Sequence, residues 1–148
     1  MKNETIGIKG ALTIILKDKD GKIKEKRELK NLVVQAGTEF IASRMLGDSE
    51  VPMTAMGVGS GLTDARPSDV DLQLVINERV LLDSATASVN KVVYVCSFKD
   101  TFGEASISEA GIFNAPTGGT MLCRTVFPVI NKQAADSISI SWTITLTV

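Results

Sequence analysis

Ser137-Ile138-Ser139-Ile140-Ser141-Trp142-Thr143-Ile144-Thr145-Leu146-Thr147-Val148 alternates hydroxyl and large apolar residues without a break. A period of two puts every apolar side chain on one face of an extended chain and every hydroxyl on the other, so the segment reads as an antiparallel strand with one face in a core. Trp142, in the middle of the apolar series, is then a buried indole. The same alternation runs through Ile6, Ile8, Leu12, Ile14 and Leu16 and closes on Asp18-Lys19-Asp20-Gly21, whose Asp-Gly ending signals a hairpin. Lys22 to Lys30 returns from that turn as a highly charged partner strand.

Between these ends the punctuation is dense. Gln35 to Leu46 is the one convincing helix, because Phe40, Ile41, Met45 and Leu46 recur at helical spacing and Gly47-Asp48 ends the run. Residues 51–58, 78–89, 91–102, 106–113 and 120–130 read as strands, with a short helical turn over 68–75. Seven or eight strands and one helix within 148 residues predict a mainly β domain. The expected architecture is an antiparallel, jelly-roll-like β-sandwich with one short α-helix and an N-terminal β-hairpin arm; a barrel is the competing closure. Residues 1–34 form the basic arm, packed on or extending from the domain, and 35–148 form a sandwich expected to fold without it.

Composition narrows the chemistry. The chain has no histidine, and its 16 basic and 17 acidic residues leave a net charge of −1. The usual neutral-pH general base and the commonest metal ligand are therefore missing, and nothing marks the whole surface for nucleic acid. Cys96 and Cys123 both sit in apolar alternating runs; buried free thiols are favoured over a cross-strand disulfide, and no second pair completes a zinc site. No apolar stretch approaches the ~18 residues that a spanning helix needs, which predicts no membrane segment. Residues 1–34 carry nine Lys or Arg against five Asp or Glu, whereas 35–148 carry seven against twelve. That basic excess suits either a solvated edge or docking on an acidic protein surface. It lacks the aromatic residues that base stacking requires.

Individual motifs fail as catalytic signatures. Gly57-Val58-Gly59-Ser60-Gly61 has Leu62 where a dinucleotide fingerprint needs glycine, lacks the Lys of a phosphate loop, and offers Ser60 no histidine. The Asp18 run has Leu29 where a calcium loop closes on glutamate. Asp69 and Asp71 fit a capped turn. Glu78, Asp83, Glu104 and Glu109 supply carboxyl groups from which a sugar-cleaving pair would be drawn, a remote alternative in a chain with one Trp and one Tyr. Glu109, flanked by Gly111, Ile112 and Phe113, is the candidate for a structural ion pair with Arg79 or Arg124. No catalytic, cofactor-binding or metal residue is assigned.

In order along the chain come Asn31-Leu32-Val33-Val34-Gln35-Ala36-Gly37, Met56-Gly57-Val58-Gly59-Ser60-Gly61, Glu78-Arg79, Ser108-Glu109-Ala110-Gly111-Ile112-Phe113-Asn114, Gly118-Gly119-Thr120-Met121-Leu122-Cys123-Arg124 and Asn131-Lys132. This succession resembles small tailed-bacteriophage virion structural proteins, and in motif order it is similar to tail-collar and tail-fibre modules. The chain departs from the collar pattern in having Ala55 and Met56 where a histidine often precedes the glycine loop, and it carries no fibre repeats. The resemblance implies a non-enzymatic virion protein, made in the bacterial host cytoplasm. The leading expectation is a capsid decoration or cement protein, dimeric or trimeric, bound across neighbouring copies of the major capsid protein; a tail-fibre, baseplate or collar appendage is the alternative. A carbohydrate-binding module is the remote third. The expected contact arm is the hairpin, with Ile6, Ile8, Leu12 and Ile14 supplying apolar area and Lys22, Lys24, Lys26 and Arg27 supplying charge.

Overall fold

The computed structural model describes residues 7–47 and 50–148. Ile6 lies outside them. Nine strands and one α-helix follow in the order β1 (Gly7–Lys17), β2 (Ile23–Val33), α1 (Gln35–Met45), β3 (Ala55–Gly59), β4 (Val80–Leu81), β5 (Ser84–Ser88), β6 (Lys91–Phe98), β7 (Ala105–Phe113), β8 (Met121–Lys132) and β9 (Ser137–Thr147), with a 3-10 turn at Asp100–Phe102. All pairings are antiparallel, and the strands form a single curled sheet in the order β4-β3-β7-β8-β2-β1-β9-β6-β5. The mainly β antiparallel fold with one helix and an N-terminal hairpin is therefore as the sequence predicts.

Two layers arise from this one sheet because strands change partners at its corners. β2 pairs with β1 along most of its length and reaches β8 only through Leu32 and Val33. At the other side, Leu82 N–H still bonds Thr54 beside β3, while Asp83 N–H already bonds Val95 on β6. What reads in sequence as one strand over 78–89 is thus split into β4 and β5, each on a different layer. Pro52 stays outside β3, and residues 68–75 are irregular, with bends and an isolated bridge at Val75, rather than a helix.

The alternation of β9 is realised as read from Ile138 to Ile144: Ile138, Ile140, Trp142 and Ile144 are buried and the hydroxyl residues face away, but Leu146, near the end of the strand, and Val148, just beyond it, are exposed. Leu12, Ile14 and Leu16 of β1 join them, facing Met56, Val58, Ile107, Ile112, Phe127 and Ile130 from the other layer. The Trp142 indole N–H donates to the Asn31 side-chain oxygen at 2.9 Å. Gly10 makes room for that contact, since a Cβ there would stand 1.7 Å from the same oxygen. Cys96 and Cys123 are free and buried, and burial pushes the Cys96 thiol up to about 12.

The β5–β6 connection is the two-residue turn Val89-Asn90, tied to β9 by Leu146 N–H donating to the Asn90 carbonyl and the Asn90 amide donating to the Leu146 carbonyl. Val89 has φ 55 and is fully exposed. A β-branched residue in that region is strained by about 1–3 kcal/mol and here gains no burial in return. Val89→Gly is expected to raise stability by about 1 kcal/mol, read as a higher denaturant midpoint at unchanged slope.

Candidate functional site

Residues 60–79 form a long connection between β3 and β4 that Glu109 ties to the sheet, in addition to the Ile76 N–H bond to the Val58 carbonyl and the Gly59–Val75 bridge. On β7, Glu109 is fully buried. Its Oε1 accepts from Gln73 N–H at 2.9 Å and Arg124 Nε at 3.1 Å; its Oε2 accepts from Gly61 N–H at 2.7 Å and Leu74 N–H at 2.9 Å. Burial pushes this carboxyl up, but the three backbone donors and Arg124 outweigh that effect and hold it below its ordinary range. Arg124, on β8 and also fully buried, extends the network: it donates to Asp69 at 2.9 Å and to the Thr63 carbonyl at 3.1 Å. Ser108 donates to the Gly61 carbonyl at 2.8 Å. One carboxylate and one guanidinium thus fix the connection at 61, 63, 69, 73 and 74.

The glycines of the resembling motifs clear the space for this network. A Cβ on Gly61 would lie 2.3 Å from Glu109 Oε2, and one on Gly59 would meet the Leu74 carbonyl at 2.5 Å. Gly37 at the start of α1 lies against β8, where a Cβ would approach the Leu122 carbonyl to 2.1 Å. Arg79 does not belong to the Glu109 pair. It stacks on the Phe113 ring with its guanidinium carbon 3.4 Å from the centroid and donates to the Ala115 and Gly118 carbonyls, clamping the β7–β8 turn. The ion pair expected of Glu109 is with Arg124 alone; Arg79 is corrected to a turn clamp, because the cation stacks over Phe113 instead.

The pinned connection presents four large apolar side chains to water, Leu62 at 69% exposure, Val70 at 70%, Leu74 at 60% and Val75 at 55%, interspersed with exposed polar and charged residues that include Asp64, Arg66, Asp71 and Glu78. These residues were not legible as a site, since singly they are ordinary loop residues among Gly, Pro, Ser and Asp. The available signal was Glu109 itself, an acidic residue within a strand whose neighbours are all apolar or small.

The expected contact arm is differently placed. β1 lies between β2 and β9, pairing with β9 at every position from Gly7 to Lys17. Leu12 and Ile14 are 2% exposed in the chain's own core, so their assignment to a partner surface is corrected. Ile8 is half-buried against the same core. Lys24 bonds the buried Asp136 at 2.8 Å, lowering that carboxyl. Arg27 pairs with Glu25 and donates to the Pro128 and Val129 carbonyls, bridging the gap where β2 leaves β8. Lys22 and Lys26 are exposed, the latter 3.7 Å from Glu28.

Of the four carboxylates considered for sugar cleavage, Glu78 and Asp83 line one open cleft of about 560 Å³ with Lys99 and Phe102. Glu104 is not among its lining residues, and Glu109 has both oxygens engaged. Among the described residues no three of His, Cys, Asp and Glu are grouped to hold a metal ion. No family model matches the chain, and neither does any curated protein or solved structure.

Proposed function

We propose that this chain is a bacteriophage virion structural protein of the capsid decoration or cement kind, docking on neighbouring capsid subunits through the connection 60–79. The observation that carries the reading is the buried Glu109–Arg124 network, which holds a connection exposing Leu62, Val70, Leu74 and Val75. The motifs that resemble virion proteins supply its parts: Gly59 and Gly61, Ser108 and Glu109, and Arg124. A buried ion pair is a poor investment in stability alone, but it specifies one arrangement of the segment it binds. A preordered surface carrying exposed apolar side chains loses little conformational entropy on docking, which favours adhesion without any chemical step. Exposed lysines of β2 steer approach to an acidic partner and add little affinity.

The test is co-sedimentation with particles assembled from the major capsid protein of the same genome. Leu62→Asp and Val70→Asp are each expected to weaken binding at least about thirtyfold, because docking traps an unpaired carboxylate at a cost of about 2 kcal/mol or more. Lys26→Ser is expected to weaken it about fivefold at most. Undiminished binding by both Asp variants removes the connection as the contact surface. A copy number comparable with that of the major capsid protein supports decoration, whereas a small fraction of it assigns the chain to a tail appendage.

A further inference from the structure

The sheet's free edges are unequally defended. Along 23–31, β2 carries a charge at six of nine positions, β8 has Pro128 and the covering Arg27, and β4 is only two residues long. These are the devices that discourage one sheet edge from pairing with another. β5 has none of them. Ser84-Ala85-Thr86-Ala87-Ser88 is uncharged, unbulged by proline and exposed at all five positions.

Its backbone directions follow from the hairpin. With Val89-Asn90 as a two-residue turn, Ser88 and Lys91 form the hydrogen-bonded pair next to it, and bonded pairs recur at every second position. Residues 84, 86 and 88 therefore turn their N–H and C=O groups to β6, while Ala85 and Ala87 aim theirs outward. The sequence Ser-Ala-Thr-Ala-Ser also reads identically in both directions about Thr86.

We infer that β5 is a homodimer contact, pairing antiparallel with β5 of a second copy about a two-fold axis at Thr86. That register sets Ala85 opposite Ala87 of the other copy, twice, so the outward groups of both strands close four main-chain hydrogen bonds. It leaves Thr86 opposite its own counterpart as the close, non-hydrogen-bonded pair, where two threonines pack and bond favourably. Ser84 meets Ser88, with neither like charges nor unequal bulk. An isologous contact demands such self-complementarity of one patch. A second copy is thus the occupant fitted by both the backbone directions and the side chains. Because Thr86 lies on the same face as Val93 and Thr143, the outward face of this layer continues across the axis. The inference stands on the hairpin alone and is independent of what the virion reading proposes for residues 60–79.

Sedimentation of the full chain over micromolar to submillimolar concentrations tests it. A short edge contact predicts a reversible monomer–dimer equilibrium. Thr86→Lys places like charges face to face at the axis and is expected to weaken the dimer at least about a hundredfold. Ala85→Pro removes only an outward donor and is expected to give a folded monomer. Mixing Thr86→Lys with Thr86→Glu is expected to restore dimers, an outcome that local misfolding cannot produce. Thr86→Cys, the one exposed thiol beside buried Cys96 and Cys123, is expected to oxidise to a covalent dimer. A wild-type chain that stays monomeric throughout, or an oligomer unchanged by Thr86→Lys and Ala85→Pro, overturns the inference.

Discussion

A chain lacking residues 1–33 is expected to show no cooperative unfolding transition and to bind hydrophobic dyes. Removing β1 strips β9 of eleven paired positions, from Lys17 opposite Ser137 to Gly7 opposite Thr147. It also deletes Leu12, Ile14 and Leu16, each 3% exposed or less, from against Ile138, Ile140 and Trp142. At about 1.5–3 kcal/mol per fully buried aliphatic side chain, these three alone approach the ~5–15 kcal/mol by which whole domains are stable. Asn31 goes too, leaving the Trp142 indole N–H without its acceptor. The measurement is a denaturant titration followed by near-ultraviolet circular dichroism. A truncated chain with a sharp transition would show that residues 35–148 form a domain of their own.

This result separates what periodicity reveals from what it conceals. The alternation of β1 and β9 established strand identity and which residues face a core, because burial on one face of a pleated strand imposes a period of two. It could not tell whose core: Leu12 and Ile14 look alike whether they face this chain's β9 layer or a neighbour's surface. Pairing between Gly7 and Thr147 spans nearly the whole sequence, and no local pattern encodes it. The same limitation made 78–89 read as one strand. Its composition is continuous, but at Leu82-Asp83 the chain leaves the strand, bends at Asp83 and passes from β3 to β6, a change of partner that no residue type announces.

The site was legible in part. Glu109 stood out because a carboxylate among Ala110, Gly111, Ile112 and Phe113 has to be paired if it is buried. Two arginines were equally plausible partners by sequence. Their separation in space comes from register: Arg124 lies opposite Gly111 on β8, adjacent to Glu109, whereas Arg79 follows the long connection and meets Phe113. The backbone donors of 61, 73 and 74 carry no side-chain signature at all. Neither did the exposure of Leu62, Val70, Leu74 and Val75. It follows from the connection being held at its polar backbone while these four side chains point outward and Leu72 points into the core.

Glu109→Gln is expected to destabilise the protein by about 3–5 kcal/mol, the cost of leaving one member of a buried ion pair without the other. The replacement keeps volume but substitutes an amide donor for one carboxylate oxygen, so part of the set formed by Gly61, Gln73, Leu74 and Arg124 faces a donor. Arg124→Met is expected to be milder, since Glu109 then retains its three backbone donors. The double variant is expected to fall short of the sum of the two losses, because the charge stranded by each single change is absent from it. The pH dependence carries the same signature. Glu109 has its folded pKa depressed below 4.5, so its stabilising contribution is complete above that value and disappears as pH falls through the folded pKa. Asp136, held down by Lys24, acts in the same direction and remains in the variant. The wild-type chain is therefore expected to lose stability with acid more steeply than Glu109→Gln, with the two curves converging at low pH. Parallel curves would mean that folding leaves the Glu109 pKa where it is in the unfolded chain, and a wild type that gains stability toward acid relative to the variant would mean that Glu109 is not ionised in the fold; either outcome deprives the connection 60–79 of the charge-assisted hold proposed for it.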